Sequence, residues 1–181
     1  DIRKMEKIGL RHVIGLVSQD VFLFAGTLRD NITLFNPIPD VKLWEIIDSL
    51  GLMPFIDRMP GGLNMEIAER GANLSVGERQ FISLSRIIIY DPRVLILDEA
   101  TSSMDPISEV LIQNAIQKVT QGRTSIIIAH RLSTILHCDK IIVLNKGEKV
   151  EEDSHEELLR LGGLYSQLYK IYMKEELIGH A

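Results

Sequence analysis

Apolar residues follow two rhythms along this chain. The first is the unbroken run. Val94-Leu95-Ile96-Leu97, closed by Asp98-Glu99, predicts a strand buried on both faces. Thr124 to Ala129 (TSIIIA) predicts a second doubly buried strand, ending in His130. Shorter runs at His12–Val17 and Lys140–Leu144 predict two more, the latter entering a hairpin turn at Asn145-Lys146-Gly147-Glu148 that leads into Lys149-Val150-Glu151. The second rhythm is helical. Val41, Trp44, Ile47 and Leu50 recur every third residue within Asp40–Met59, and Gly51 stops the first helix. Ser75 opens the clearest helix, which carries Phe81, Leu84, Ile87 and Ile88 on one face and ends at Asp91-Pro92. Pro106 suits the first turn of another, with Val110, Leu111, Ala115, Ile116 and Val119 inward. Leu132–Leu136 is a short helix, one more starts near Ser154, and Leu161, Leu164, Leu168 and Ile171 mark the last. Strands alternating with helices predict an α/β fold on a largely parallel sheet. The mostly helical stretch from about Asn36 to Pro92 reads as an inserted lobe.

Composition narrows the class without naming a function. With 181 residues, 45% of them hydrophobic and 25% charged, the chain is long enough for one domain with a real core. Net charge is −5 and no Lys/Arg stripe forms, so no nucleic-acid partner is expected. The lone Cys138 excludes an intrachain disulfide. No apolar run approaches the ~18 residues of a membrane-crossing helix. The opening Asp1-Ile2-Arg3-Lys4-Met5 resembles the interior of a domain, and the chain is expected to begin partway through a longer protein.

The chemistry gathers at two places. In an open α/β sheet the C-terminal strand ends line the ligand crevice. Asp98 and Glu99 stand at such an end, where carboxylates can hold magnesium and aim a water at a phosphate. Ser75-Val76-Gly77-Glu78 fits a capping box, a structural reading that needs no ligand. The same helix end also offers amides and partial positive charge to an anion, with Gly77 leaving room for a phosphate to approach the backbone. The other histidines (His12, His137, His155 and His180) lack partners in sequence and read as surface residues. Trp44 fits core packing better than base stacking.

Leu74-Ser75-Val76-Gly77-Glu78-Arg79-Gln80, about one helix upstream of an apolar Asp-Glu strand, resembles the ATP-binding-cassette ATPases. Leu74 to Glu78 looks like their signature motif, with Val76 where glycine is commoner and Glu78 where glutamine is commoner. Arg93 to Glu99 looks like the Walker B strand and Ser103-Met104-Asp105 the D-loop. Gln19 looks like the Q-loop glutamine and His130 the switch histidine. Val17 to Phe24 and Ala68-Glu69-Arg70-Gly71 are similar to the exporter branch, in which the cassette follows six membrane helices. The resemblance implies a P-loop NTPase (RecA-like) core at 1–35 and 93–181, with a helical signature subdomain at 36–92. It implies ATP and Mg2+ as ligands, a second cassette and a transmembrane domain as partners, and a place on the cytoplasmic face of a membrane. It assigns Asp98 to magnesium, Glu99 to polarising the attacking water, and Gln19 to sensing metal and γ-phosphate. His130 would hydrogen-bond the γ-phosphate. Ser75, Val76, Gly77 and Glu78 would meet nucleotide held by the opposite subunit, with Asp105 coupling the two sites.

One expected part is absent. No glycine has another five places on and no Gly-Lys pair occurs, so a G-x-x-x-x-G-K-[ST] phosphate loop does not exist in this sequence. In the family that loop and the adenine-stacking aromatic lie upstream of the Q-loop. The expectation is an N-terminally incomplete cassette that does not hydrolyse ATP alone. It also predicts an open apolar edge at Thr124–Ile128, because the missing strand would run beside it. The alternative is a non-catalytic module that lends only its signature face to a partner. Asp98, Glu99 and His130 argue against that. Chromosome-maintenance relatives would require long coiled-coil heptads, which do not occur.

Overall fold

The structure, a computed structural model, describes residues 1–18, 20–98, 104–129 and 132–179, with the backbone alone at 132–133 and 174–179. It divides into two compact units, Asp1–Ile128 and Ala129–Ala181.

In chain order the first unit contains α1 (Lys7–Val13), β1 (Ile14–Val17), β2 (Gly26–Thr27), α2 (Leu28–Thr33), α3 (Asp40–Leu50), α4 (Met53–Arg58) and β3 (Glu66–Ile67). It continues with α5 (Val76–Tyr90), β4 (Val94–Asp98), α6 (Pro106–Thr120) and β5 (Thr124–Ile128). The strand expected from His12 starts later, since His12 and Val13 finish α1. Strands β1, β4 and β5 form a parallel sheet in the order β1-β4-β5. Leu16, Ile96 and Ile126 lie side by side across it. The short β2 and β3 pair antiparallel.

The expectation of strands buried on both faces is corrected here. Leu95 and Leu97 are buried in the main core with Phe81, Ile112, Ala115 and Val119 of α5 and α6. The other face is open: Leu16 is 62%, Ile126 57% and Ile128 51% exposed. A run of consecutive apolar residues makes both faces of a strand apolar, but it holds no information on what covers each face. Two helix faces are corrected too. In α3 the buried stripe is Leu43, Ile46, Ile47 and Leu50, whereas Val41 is exposed and Trp44 lies at the edge of exposure. Stripes starting at 41 or 43 have almost the same helical spacing, and packing against α5 and α6 selects the second. In α6 Val110 is exposed, and Ser108, Ile112, Ala115 and Val119 point inward.

The second unit contains α7 (Leu132–Leu136), β6 (Ile141–Asn145), β7 (Glu148–Asp153), α8 (His155–Leu161) and α9 (Leu164–Gly179). The hairpin occurs where the turn residues put it. Lys146 and Gly147 both adopt positive φ (50° and 84°), as a two-residue turn matched to strand twist requires. Among the described residues β6 pairs only with β7, antiparallel, as a two-stranded ribbon. Val143, Leu158 and Tyr165 make its small core. The Glu151 carboxylate accepts the N–H groups of Leu164 (2.5 Å) and Tyr165 (2.9 Å), stabilising the positive end of α9. His155, expected on the surface, is half-buried with Nδ1 2.7 Å from the Tyr165 hydroxyl. In the last helix Tyr165 is buried, while Leu168 and Ile171 are exposed.

Candidate functional site

The central strand β4 delivers Asp98 to the C-terminal end of the sheet, beside Ile128 of β5. A parallel sheet brings its strand ends to one rim, and the acid is half-buried there. Gln19, Glu99 and His130 lie outside the described residues, as do positions 100–103. Among the described residues no group of three or more His, Cys, Asp or Glu is placed to hold a metal. A single carboxylate suits magnesium, which keeps several waters and takes further oxygens from substrate phosphates.

The second half of the site is the start of α5. Ser75 Oγ accepts the Glu78 N–H (3.3 Å), and the Glu78 carboxylate accepts the Ser75 N–H (2.7 Å). The expected capping box is therefore formed, and Ser75 is exposed. Two of the four orphan amides of this helix end belong to Val76 and Gly77, which have no backbone or side-chain acceptor among the described residues. Arg79 folds back to donate to the carbonyl oxygens of Leu74 (2.7 Å) and Gly71 (3.4 Å), fixing the loop that leads into the helix. Gly71 itself needs its glycine: its φ is +67°, and a Cβ would stand 2.6 Å from Leu23 Cδ1.

Gly77 serves a second purpose that spacing did not reveal. It is buried, and a Cβ there would meet Ser108 Cβ at 3.0 Å and Phe55 Cε1 at 3.3 Å. The missing side chain thus lets α5 approach α6, and Phe55 stacks with Phe81 underneath at 5.6 Å between ring centroids. Ser108 is the residue sequence reasoning missed. It lies at the third position of α6, where the Asp105 carboxylate accepts its N–H (2.9 Å) and caps the helix. Bonding from the Ser108 side chain, then from its backbone, holds the Asp105 carboxyl below the usual carboxylate range, with help from the Arg58 charge. One buried serine therefore joins the Asp105 cap to Gly77. The signal was an Asp-x-x-Ser spacing behind Pro106.

Among the described residues no helix is long and apolar enough to cross a membrane. The family model described as "ABC transporter" matches residues 1–102. Over 171 residues the chain is 44% identical to a Bacillus subtilis protein named "Probable multidrug resistance ABC transporter ATP-binding/permease protein YheH", covering 94% of this chain and 25% of that protein. It is 43% identical over 180 residues to the "ATP-dependent lipid A-core flippase" of Syntrophus aciditrophicus, covering 99% of this chain and 30% of that protein. A solved bacterial Atm1-family ABC exporter with ATP bound superposes with a TM-score of 0.83 at 37% identity, over 94% of this chain and 30% of that one. The chain thus spans between a quarter and a third of the length of these relatives.

Proposed function

The chain belongs to the ABC transporter family, and from that premise we propose that it is the catalytic and signature portion of an ATP-hydrolysing motor domain in a membrane exporter. In this reading residues 1–35 and 93–181 form the nucleotide-facing core and residues 36–92 the signature lobe. The observation that carries it is the self-capped start of α5, with Ser75 exposed and two amides without acceptors among the described residues, seated through Ser108 on the Asp105 cap of α6.

Hydrolysis of a phosphoanhydride needs an oriented water and neutralisation of developing charge. Asp98, at the rim of the sheet, would hold magnesium, largely through water. Magnesium bound there supplies charge neutralisation on the phosphate oxygens. Glu99, next along the chain, would accept a hydrogen bond from the attacking water. Gln19 and His130 would meet the γ-phosphate. The amides of Val76 and Gly77 and the Ser75 hydroxyl would donate to the γ-phosphate of nucleotide held by a second cassette. Asp105 would keep α6 in step with α5. The phosphate loop would come from sequence upstream of Asp1, so the 181-residue chain alone is expected to show no ATPase activity above background. The partners are a second cassette and the exporter's membrane helices, and the site of action is the cytoplasmic face of that membrane.

The test is Glu99→Gln in the complete protein. Loss of the residue that aims the water should lower turnover about 100-fold or more while ATP stays bound. Undiminished turnover would remove Glu99 from this role. Retained ATP-independent association with a partner, and no hydrolysis even by the parent protein, would instead favour a non-catalytic module.

A further inference from the structure

The strongest group that this mechanism leaves unused is Arg86, in the second half of α5. Its guanidinium is half-buried, and desolvation lowers its pKa to about 10, so it remains a cation at neutral pH. It faces carbonyl oxygens rather than a carboxylate. Nε donates to the Asn31 carbonyl (2.7 Å), Nη1 to the Phe22 carbonyl (3.0 Å), and Nη2 lies 3.5 Å from Asn31 Oδ1. Asn31 is fully buried and ties the same stretch to itself. Its Nδ2 donates to the carbonyls of Phe24 (2.9 Å) and Thr27 (3.1 Å), and its Oδ1 accepts the Phe24 N–H (2.9 Å). One turn further along α5, the Tyr90 hydroxyl donates to the Thr33 carbonyl (2.8 Å) and accepts from Asn36 Nδ2 (2.7 Å).

Two rungs on one helix face thus hold the stretch from Phe22 to Asn36, which begins three residues after Gln19. These rungs differ in kind from the apolar packing around them. Leucine contacts slide at small cost. A desolvated guanidinium that lost its acceptors would leave a charge without partners, so helix and stretch are constrained to move together. Arg86 lies eleven residues beyond Ser75, roughly 16 Å along the axis at the rise of an α-helix. A displacement of the Phe22–Asn31 stretch therefore acts on a rigid rod whose far end is the Ser75–Gly77 amides.

We propose that Arg86 is a positioning residue. Its three-way hold on Phe22 and Asn31 transmits the state of the stretch after Gln19 to the signature end of α5. The inference rests on the functional reading above. Lysine is the informative replacement, because it keeps the charge but lacks the planar fork that spans several acceptors.

The experiment is hydrogen exchange on the complete protein with and without ATP and magnesium, comparing Arg86→Lys with the parent, alongside steady-state ATPase kinetics. In the parent, ATP should alter exchange at both 22–33 and 75–80. In Arg86→Lys the response at 22–33 should persist and that at 75–80 should be lost. kcat should fall about tenfold with KM within about twofold, the pattern of an interaction that matters after binding. Responses at both segments with parental kcat would overturn the proposal. So would loss of both responses together with a lowered melting temperature, which would make Arg86 purely structural. A parent in which ATP alters neither segment would instead overturn the functional reading, and this inference with it. Should Arg86→Lys fail to fold, Tyr90→Phe removes only the second rung and should weaken the 75–80 response in the same direction. An undiminished response there would also overturn the proposal.

Discussion

At the scale of single residues, the start of α5 has two demands on it at once, and Gly77 shows them in opposition. Replacing a helical glycine with alanine ordinarily gains about 1 kcal/mol of helix propensity. Here the new methyl would meet two buried neighbours, Ser108 and Phe55, that have little room to give. Overpacking of this kind costs ~1–3 kcal/mol. The expected outcome for Gly77→Ala is a net loss of about 1 kcal/mol, read as a lowered denaturation midpoint. A gain would mean that α6 moves aside freely. Ser75→Ala should cost ~1 kcal/mol through loss of the cap. Charge adds a pH effect in the second unit. Bonds from Lys149 and Lys140 lower the Glu152 carboxyl from 4.5 to about 2. A carboxylate held low in the folded state favours folding at neutral pH. That contribution fades as pH falls from about 4.5 toward 2. Glu152→Gln should therefore flatten the acid side of the hairpin's stability profile, with its largest effect above pH 5 and at low salt.

At the scale of elements, the open face of the parallel sheet sets the behaviour of the isolated chain. Leu16, Ile126 and Ile128 present apolar surface, and β5 is an edge strand among the described residues. Such a face and edge favour self-association. The 181-residue chain should sediment as oligomers at micromolar concentration. Replacing Ile126 with lysine should weaken that association about tenfold or more, the effect of removing one buried isoleucine from a contact. An unaltered distribution would place the contact elsewhere. The same elements show what the sequence could disclose. Capping at Ser75, the Pro106 helix start and the Lys146-Gly147 turn were readable because each depends on the chemistry of a few adjacent residues. Which side of α3 or β5 is buried was not, because the answer depends on distant packing. Ser108 and Arg86 went unnoticed for a related reason. A serine inside α6 and an arginine inside α5 look ordinary until α5 is placed against α6 and α2.

At the scale of the whole molecule, the proposed mechanism needs a phosphate loop that this sequence does not contain and nucleotide shared with a second cassette. In the proposed reading the Val76 and Gly77 amides, which have no acceptor among the described residues, meet a phosphate held by another copy. Family membership does not depend on that arrangement, but the mechanism does. The most direct measurement is a structure of the complete protein carrying Glu99→Gln, loaded with ATP and magnesium. The distance to read runs from Ser75 Oγ to the nearest γ-phosphate oxygen. The expected distance is about 3 Å, hydrogen-bond range, to a nucleotide whose other phosphates are held by the opposite copy. Ser75 and the Gly77 amide lying well beyond hydrogen-bond reach of any phosphate, or bonded to nucleotide held by their own copy, would contradict it.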